Sequence, residues 1–146
     1  MSGQVLDRAG VDAVLNDLDE YAIEEALRIV EANSPTKEAG EGSGHTITLI
    51  SMGPDRASEA LRKGLSMGAD DAILITDPAL AGADALTTSL VLSKAIEGAG
   101  FDIVLCGAES TDARMSVVPS MLAQRLGFAQ LTCAAKVAVA GNKVSI

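Results

Sequence analysis

Tryptophan is absent from the 146 residues, and the aromatic side chains are one tyrosine and two phenylalanines. The core must therefore be aliphatic, made of Leu, Ile, Val, Ala and Met. Positive charge is also scarce. Eleven Lys and Arg face twenty Asp and Glu, for a formal net charge of −9. A nucleic-acid groove needs clustered cations against its phosphates, and anionic membrane surfaces attract basic patches. The balance disfavours both. No apolar run approaches the ~20 residues that span a bilayer. The opening residues, Met1-Ser2-Gly3-Gln4-Val5-Leu6-Asp7-Arg8, lack the basic head and apolar stretch of a secretory signal. The expectation is a cytoplasmic protein with no nucleic-acid partner and no membrane insertion.

Cysteine and histidine are too few for metal or nucleophile chemistry. Cys106 and Cys133 have no CxxC spacing, and the expectation is two reduced, buried, small side chains. His45 is the sole histidine and reads as a surface residue. Ser110, Thr111 and Ser116 have no histidine near them in sequence, so no nucleophile–base pair forms there. Their expected work is capping and loop hydrogen bonding. The expectation is a protein without catalytic or metal-binding residues of its own.

What the chain does have is apolar content, at 48%. That is enough for one folded domain, expected over residues 1–146. Leu18, Ala22, Ile23, Ala26, Leu27, Ile29 and Val30 recur at spacings of three and four, which predicts a helix over 17–32. Asp17, Asp19 and Glu20 crowd its first turn, as the helix dipole favours. Four Gly and Pro breakers and no apolar period mark an exposed connection at 33–45. Strands are predicted over 46–51, 72–76 and 102–106, with helices over 55–67 and 85–97 between them. Gly68 fits a helix end, and Asp84 fits a helix cap. A fourth helix over 120–126 is ended by Gly127, and weak alternation over 130–139 with Gly141-Asn142 predicts two last strands. Alternating helices and apolar strands define an α/β fold, a parallel sheet covered by helices on both faces.

Ligands in such folds lie beyond the carboxyl ends of the strands. Two segments fall there: Ser51-Met52-Gly53, and the long stretch Gly107-Ala108-Glu109-Ser110-Thr111-Asp112-Ala113-Arg114-Met115-Ser116-Val117-Val118. The second joins an apolar strand to a helix start through small polar residues. Free N–H groups at a helix start can face a phosphate, and small side chains let it approach. The expected ligand is a nucleotide that is held, not cut.

Four collinear segments resemble the beta subunit family of electron transfer flavoprotein. Leu15-Asn16-Asp17-Leu18-Asp19-Glu20-Tyr21-Ala22-Ile23-Glu24-Glu25-Ala26 resembles the family's Asn-Pro-x-x-x-x-Ala-x-Glu-Glu-Ala helix start. Ser51-Met52-Gly53-Pro54 resembles its second nucleotide loop, and Leu65-Ser66-Met67-Gly68-Ala69-Asp70 its Ala-Met-Gly-Ala-Asp segment. The stretch from Gly107 resembles its AMP-binding loop. The resemblance implies an adenine nucleotide alpha hydrolase-like fold and a heterodimer with an FAD-carrying alpha subunit. It implies electron flow from acyl-CoA and other flavin dehydrogenases to a quinone-reducing oxidoreductase. It also implies AMP contacts at Asn16, Asp17, Leu18, Asp19, Met52 and Gly107 through Val118, many of them from backbone. Some family members hold a second FAD in place of AMP and split electron pairs, and this sequence leaves that choice open.

The chain departs from the family pattern at several positions. Glu109 stands where Gln is commoner, Arg114 where an acid is, Val117 where Gln often is, Pro119 where Gly is, and Asp17 where Pro is usual. A carboxylate at Glu109 repels an anionic nucleotide unless it faces the ribose. Arg114 fits either a phosphate partner or a solvent-facing loop residue. Other nucleotide folds fit less well. An ATP-binding stress or signalling module needs a glycine-spaced phosphate loop, and an adenylating enzyme needs Ser-Gly-Gly-x-Asp-Ser; neither series occurs.

The resemblance also implies that the chain begins just after the family's first, central strand. It further implies that the chain stops before the partner-recognition loop and the C-terminal arm. The expectation is a fragment or truncated gene product, with unpaired backbone at the centre of its sheet. Alone, the 146-residue chain is expected to aggregate or to unfold without a sharp transition. A cooperative calorimetric melt of the isolated monomer would contradict this.

Overall fold

Acidic side chains mark the start of the first helix, Asp17–Asn33 (α1), with Asp17, Asp19 and Glu20 in its opening turn. The computed structural model describes residues 12–34 and 44–146. Most of the connection expected at 33–45 therefore lies outside the described residues. On α1, Ile23 is buried, while Ala22, Ala26, Leu27, Ile29 and Val30 are half-buried, as the periodicity requires. Leu18 remains exposed. Arg28 pairs with Glu24 at 2.7 Å on the solvent side.

Strands Thr48–Met52 (β1) and Asp71–Ile75 (β2) pair in parallel, from Thr48 opposite Asp71 to Met52 opposite Ile75. The Gly53 N–H donates to the Ile75 carbonyl at 3.0 Å and extends the pairing past β1. Parallel neighbours need a crossover, which helix Ser58–Met67 (α2) supplies. The single helix expected over 55–67 instead opens as a 3-10 turn, Asp55–Ala57, before α2 begins. Gly68 ends α2 with φ of +126°, a conformation that side chains with a Cβ disfavour.

Gly64 lets three elements meet. It is buried, and a Cβ there would run into Leu49 Cδ1 of β1 and stand 3.2 Å from Ile23 Cδ1 of α1. A side chain at this position would push α2 off both neighbours. Leu61, one turn earlier on α2, is buried too.

The third helix is Ala85–Glu97 (α3), and Asp84 caps it by accepting from the Thr87 N–H at 2.8 Å. That backbone bond, with the Thr87 side chain, holds the Asp84 carboxyl below its ordinary value. Its stabilising effect is complete at neutral pH and is lost as pH falls through the lowered value. The fourth helix, Val118–Leu126 (α4), packs against α3. Ser89 and Ser93 on α3 are buried, and Arg125 of α4 donates to Ser89 Oγ at 3.1 Å and to the Leu86 carbonyl at 3.2 Å. Small side chains on α3 thus admit a long one from α4. Gly127 closes α4 in the left-handed region at φ +68°.

The α/β class holds, but the sheet is smaller than the sequence suggested. The segment 102–106 forms no ladder among the described residues. Apolar side chains give it strand character, yet a strand is a property of a pair, and no described strand lies beside it. At the other end, only Ala138–Ala140 (β3) of the expected 130–139 strand forms, and it pairs antiparallel with Lys143–Ser145 (β4). Gly141-Asn142 joins them in two residues, a connection that dictates an antiparallel hairpin apart from the β1–β2 pair.

Replacing Gly64 by Val should overpack this junction and lower stability by about 1–3 kcal/mol. Equilibrium urea unfolding of the chain completed to the family's full length checks this, and an unchanged midpoint contradicts it.

Candidate functional site

Asn16 occupies the N-cap position of α1, at φ −63° and ψ 129°, but its side chain makes no cap hydrogen bond. It turns instead to a loop more than ninety residues away. Its Nδ2 donates to the Glu109 carbonyl at 2.9 Å and to Asp19 Oδ2 at 2.9 Å. Its Oδ1 accepts from the Thr111 hydroxyl at 2.5 Å. Asp19 completes the connection: its Oδ1 accepts from the Gly107 N–H at 2.7 Å. Both oxygens of one carboxylate therefore have partners inside this cluster.

Gly107 is the point of closest approach. A Cβ built there would lie 2.8 Å from the Leu18 carbonyl carbon, 2.9 Å from Asp19 N and 2.8 Å from Asp19 Oδ1. Backbone cannot yield as a flexible side chain can, so glycine is needed for contact and not for a turn. Leu18 contributes here through its main chain, and its side chain stays exposed.

Beyond Gly107 the loop organises itself. The Arg114 N–H donates to the Ser110 carbonyl at 3.0 Å, and the Ala113 N–H to Asp112 Oδ1 at 2.7 Å. Ser116 Oγ donates to Glu109 Oε2 at 2.8 Å, which draws that carboxylate back across the loop. Arg114 and Ser116 adopt φ of +48° and +54°. Left-handed backbone at residues with a Cβ is sparsely populated and marks a conformation imposed by its surroundings. The Arg114 guanidinium has one described bond, Nε to the Thr111 carbonyl at 3.4 Å, and is exposed.

The sequence-derived residues thus divide. Asn16 and Asp19 meet Gly107, Glu109 and Thr111 directly, while Ala108, Ser110, Asp112, Ala113, Arg114, Met115 and Ser116 complete the same loop. Asp17 is exposed in the first turn of α1. Met52 ends β1, and none of the described bonds between α1 and the loop involves it. Val117 takes the N-cap position of α4, and Val118, expected in the loop, opens that helix with Pro119 behind it. The plain sequence gave no sign that Asn16 and Thr111 touch, because nothing in either segment's pattern encodes the other.

The two cysteines are exposed, contrary to the expectation of burial. Cys106 lies in the unpaired 102–106 segment, so no neighbouring strand covers that residue. Its thiol is nevertheless desolvated by surrounding protein and lies near the Asp19 carboxylate, and together these raise it to about 11. His45 is exposed. Among the described residues no group of three or more His, Cys, Asp and Glu is arranged to hold a metal, and no helix is long and apolar enough to cross a membrane.

The features so far define an α/β domain in which one polar loop is docked on a helix start near a parallel strand pair. The chain belongs to the electron transfer flavoprotein domain family, which it matches over residues 3–146. It is 43% identical over 141 residues to electron transfer flavoprotein subunit beta of Mycobacterium tuberculosis, covering 96% of this chain and 51% of that protein. The subunit beta of Thermoanaerobacterium thermosaccharolyticum is 43% identical over 143 residues, covering 98% and 51%. Protein FixA of Azotobacter vinelandii is 40% identical over 134 residues, covering 89% and 44%. The chain spans about half the length of the curated relatives it matches.

Thiolate is the reactive form of cysteine, and the Cys106 thiol is pushed up to about 11 by desolvation and the nearby Asp19 carboxylate. Iodoacetamide at pH 8 should label Cys133 well before Cys106, as read by peptide mass spectrometry. Equal rates contradict the placement of Asp19 and the surrounding protein about the Cys106 thiol.

Proposed function

We propose that this chain is the nucleotide-binding part of the beta subunit of a heterodimeric electron transfer flavoprotein, with AMP held by the loop from Gly107 to Val118. The whole domain is then of the adenine nucleotide alpha hydrolase-like type and acts in the cytoplasm. The observation that carries the reading is the docking of this loop on Asn16 and Asp19, in a chain belonging to that family.

The residues present suit an anionic nucleotide. Gly107, Ala113 and Arg114 already use their amides within the protein, so donors to an anion would come from other amides of the loop. Left-handed loop residues, here Arg114 and Ser116, are the kind that turn successive amides toward an anion. Arg114 supplies positive charge, and the Ser116 hydroxyl donates to the carboxylate of Glu109, one of several acids at the site together with Asp17, Asp19 and Asp112.

FAD, carried mainly by the alpha subunit, supplies the electron chemistry. This chain's part is to bind, orient and exclude water. Its loop fixes the nucleotide, and its surface helps to enclose the flavin of the partner. Electrons arrive from acyl-CoA and other flavin dehydrogenases and leave toward a quinone-reducing oxidoreductase.

Coexpression of the chain, completed to the length of its curated relatives, with a family alpha subunit, followed by counting flavin and AMP per heterodimer, tests the reading. One FAD with one AMP is expected, and Arg114→Ala should weaken AMP binding by roughly tenfold at low salt, as loss of a charge-assisted bond implies. Two flavins per heterodimer would replace AMP by a second FAD and make the protein an electron-bifurcating variant. Absence of both flavin and AMP would overturn the family role, and unchanged AMP affinity would remove Arg114 from the site.

A further inference from the structure

We infer that the Glu109 carboxylate and the Ser116 hydroxyl form a latch that closes residues 109–116 into a ring and gives the loop the shape in which it takes AMP. The inference rests on the proposed AMP site and deepens it.

Ser116 Oγ donates to Glu109 Oε2 at 2.8 Å, across seven positions of the chain. This bond joins the near limb of the loop to the far one. The near limb is fixed independently: the Glu109 carbonyl accepts from Asn16 Nδ2 at 2.9 Å, and the Gly107 N–H donates to Asp19 Oδ1 at 2.7 Å. Glu109 is thus held on α1 by its main chain, and its side chain reaches across to the far limb. Inside the ring the Arg114 N–H donates to the Ser110 carbonyl at 3.0 Å. That bond and the latch are two crossings of the same turn, one through the backbone and one through side chains.

The far limb needs such a tie. Arg114 and Ser116 stand at φ of +48° and +54°, a region that residues with a Cβ populate sparsely. Met115, between them, is 59% exposed, so burial of its side chain does little to hold the limb. A free loop would leave this conformation. The latch acts at one of the two left-handed residues, and a hydrogen bond to a carboxylate is stronger than one to a neutral acceptor. Arg114 lies between Ser110 and Ser116, so the two crossings also fix where the loop's cation stands. A ring closed before any ligand arrives lowers the ordering cost of binding.

The bond can be separated from the charge. Glu109→Gln and Glu109→Ala remove the same negative charge, but the glutamine amide oxygen still accepts from the Ser116 hydroxyl. The latch survives the first change and is lost with the second.

The test is a thermodynamic cycle in the chain completed to the length of its curated relatives and coexpressed with a family alpha subunit, with AMP as the probe. Glu109→Ala should bind AMP roughly 3- to 10-fold more weakly than Glu109→Gln. In a Ser116→Ala background that ratio should fall to about one, because the hydroxyl that distinguishes the two variants is gone. Equal affinity of the two variants with Ser116 present would mean that the latch does not govern binding. A ratio undiminished by Ser116→Ala would mean that the side chain at 109 acts on AMP without Ser116. Either overturns the inference. Hydrogen exchange supplies a readout independent of ligand. The Arg114 amide should exchange roughly 3- to 10-fold faster in Glu109→Ala and in Ser116→Ala, and no faster in Glu109→Gln, while the Gly107 amide stays unchanged. If the wild-type heterodimer holds no AMP, the nucleotide reading fails and the exchange result alone decides the latch: an Arg114 amide unaltered in Ser116→Ala then overturns it.

Discussion

The Asp19 carboxylate joins two parts of the chain that are otherwise far apart in sequence. One oxygen takes the Gly107 amide at 2.7 Å, and the other takes Asn16 at 2.9 Å. A charged acceptor makes stronger hydrogen bonds than a neutral one, and partial burial strengthens them further. The loop's position follows from this contact, because Gly107 can then lie against the main chain of α1. Glu109 and Thr111 follow through Asn16. The same charge acts on the Cys106 thiol one residue earlier and helps to keep it protonated. One side chain thus anchors the loop and adds to the desolvation that raises the neighbouring thiol.

The loop's composition makes sense in those terms. Of its two acids, Glu109 accepts from Ser116 and Asp112 from the Ala113 amide, and its base, Arg114, has a weak partner in the Thr111 carbonyl among the described residues. In a chain of net charge −9 this distribution leaves one cation at the candidate site and neutralises part of the local repulsion. The departures from the family pattern at positions 109 and 114 lie in one loop, Glu109 bonded to Ser116 and Arg114 to Thr111. Position 116, a small hydroxyl residue, is what makes Glu109 tolerable.

Local pattern was enough to read the helices. The three-and-four spacing on α1, the Asp84 cap and the glycines ending α2 and α4 are local signals, and local signals survive in sequence. The parallel pair was readable as two apolar runs separated by a helix. The sheet's extent was not. Segment 102–106 has the side chains of a strand, but pairing depends on a neighbour that side-chain pattern does not specify. The hairpin was half legible, since Gly141-Asn142 announced the turn while the exposed stretch at 128–136 carried no period. At the candidate site, residue types pointed to the loop from Gly107 and the family resemblance to Asn16 and Asp19, two segments that the fold brings into contact. That Asn16 abandons its cap for Thr111 lies 95 positions away from anything local.

Farther along α1, Glu25 accepts the Val137 amide at 2.6 Å, just before β3 begins. The helix is a stiff rod, with about 1.5 Å of rise per residue, and six residues separate Glu25 from Asp19. The hairpin and the loop from Gly107 are therefore fastened to a common beam within two turns of each other. A load on residue 137 therefore reaches, through one helix, the contact at Gly107, where a Cβ would stand 2.8 Å from the main chain of α1.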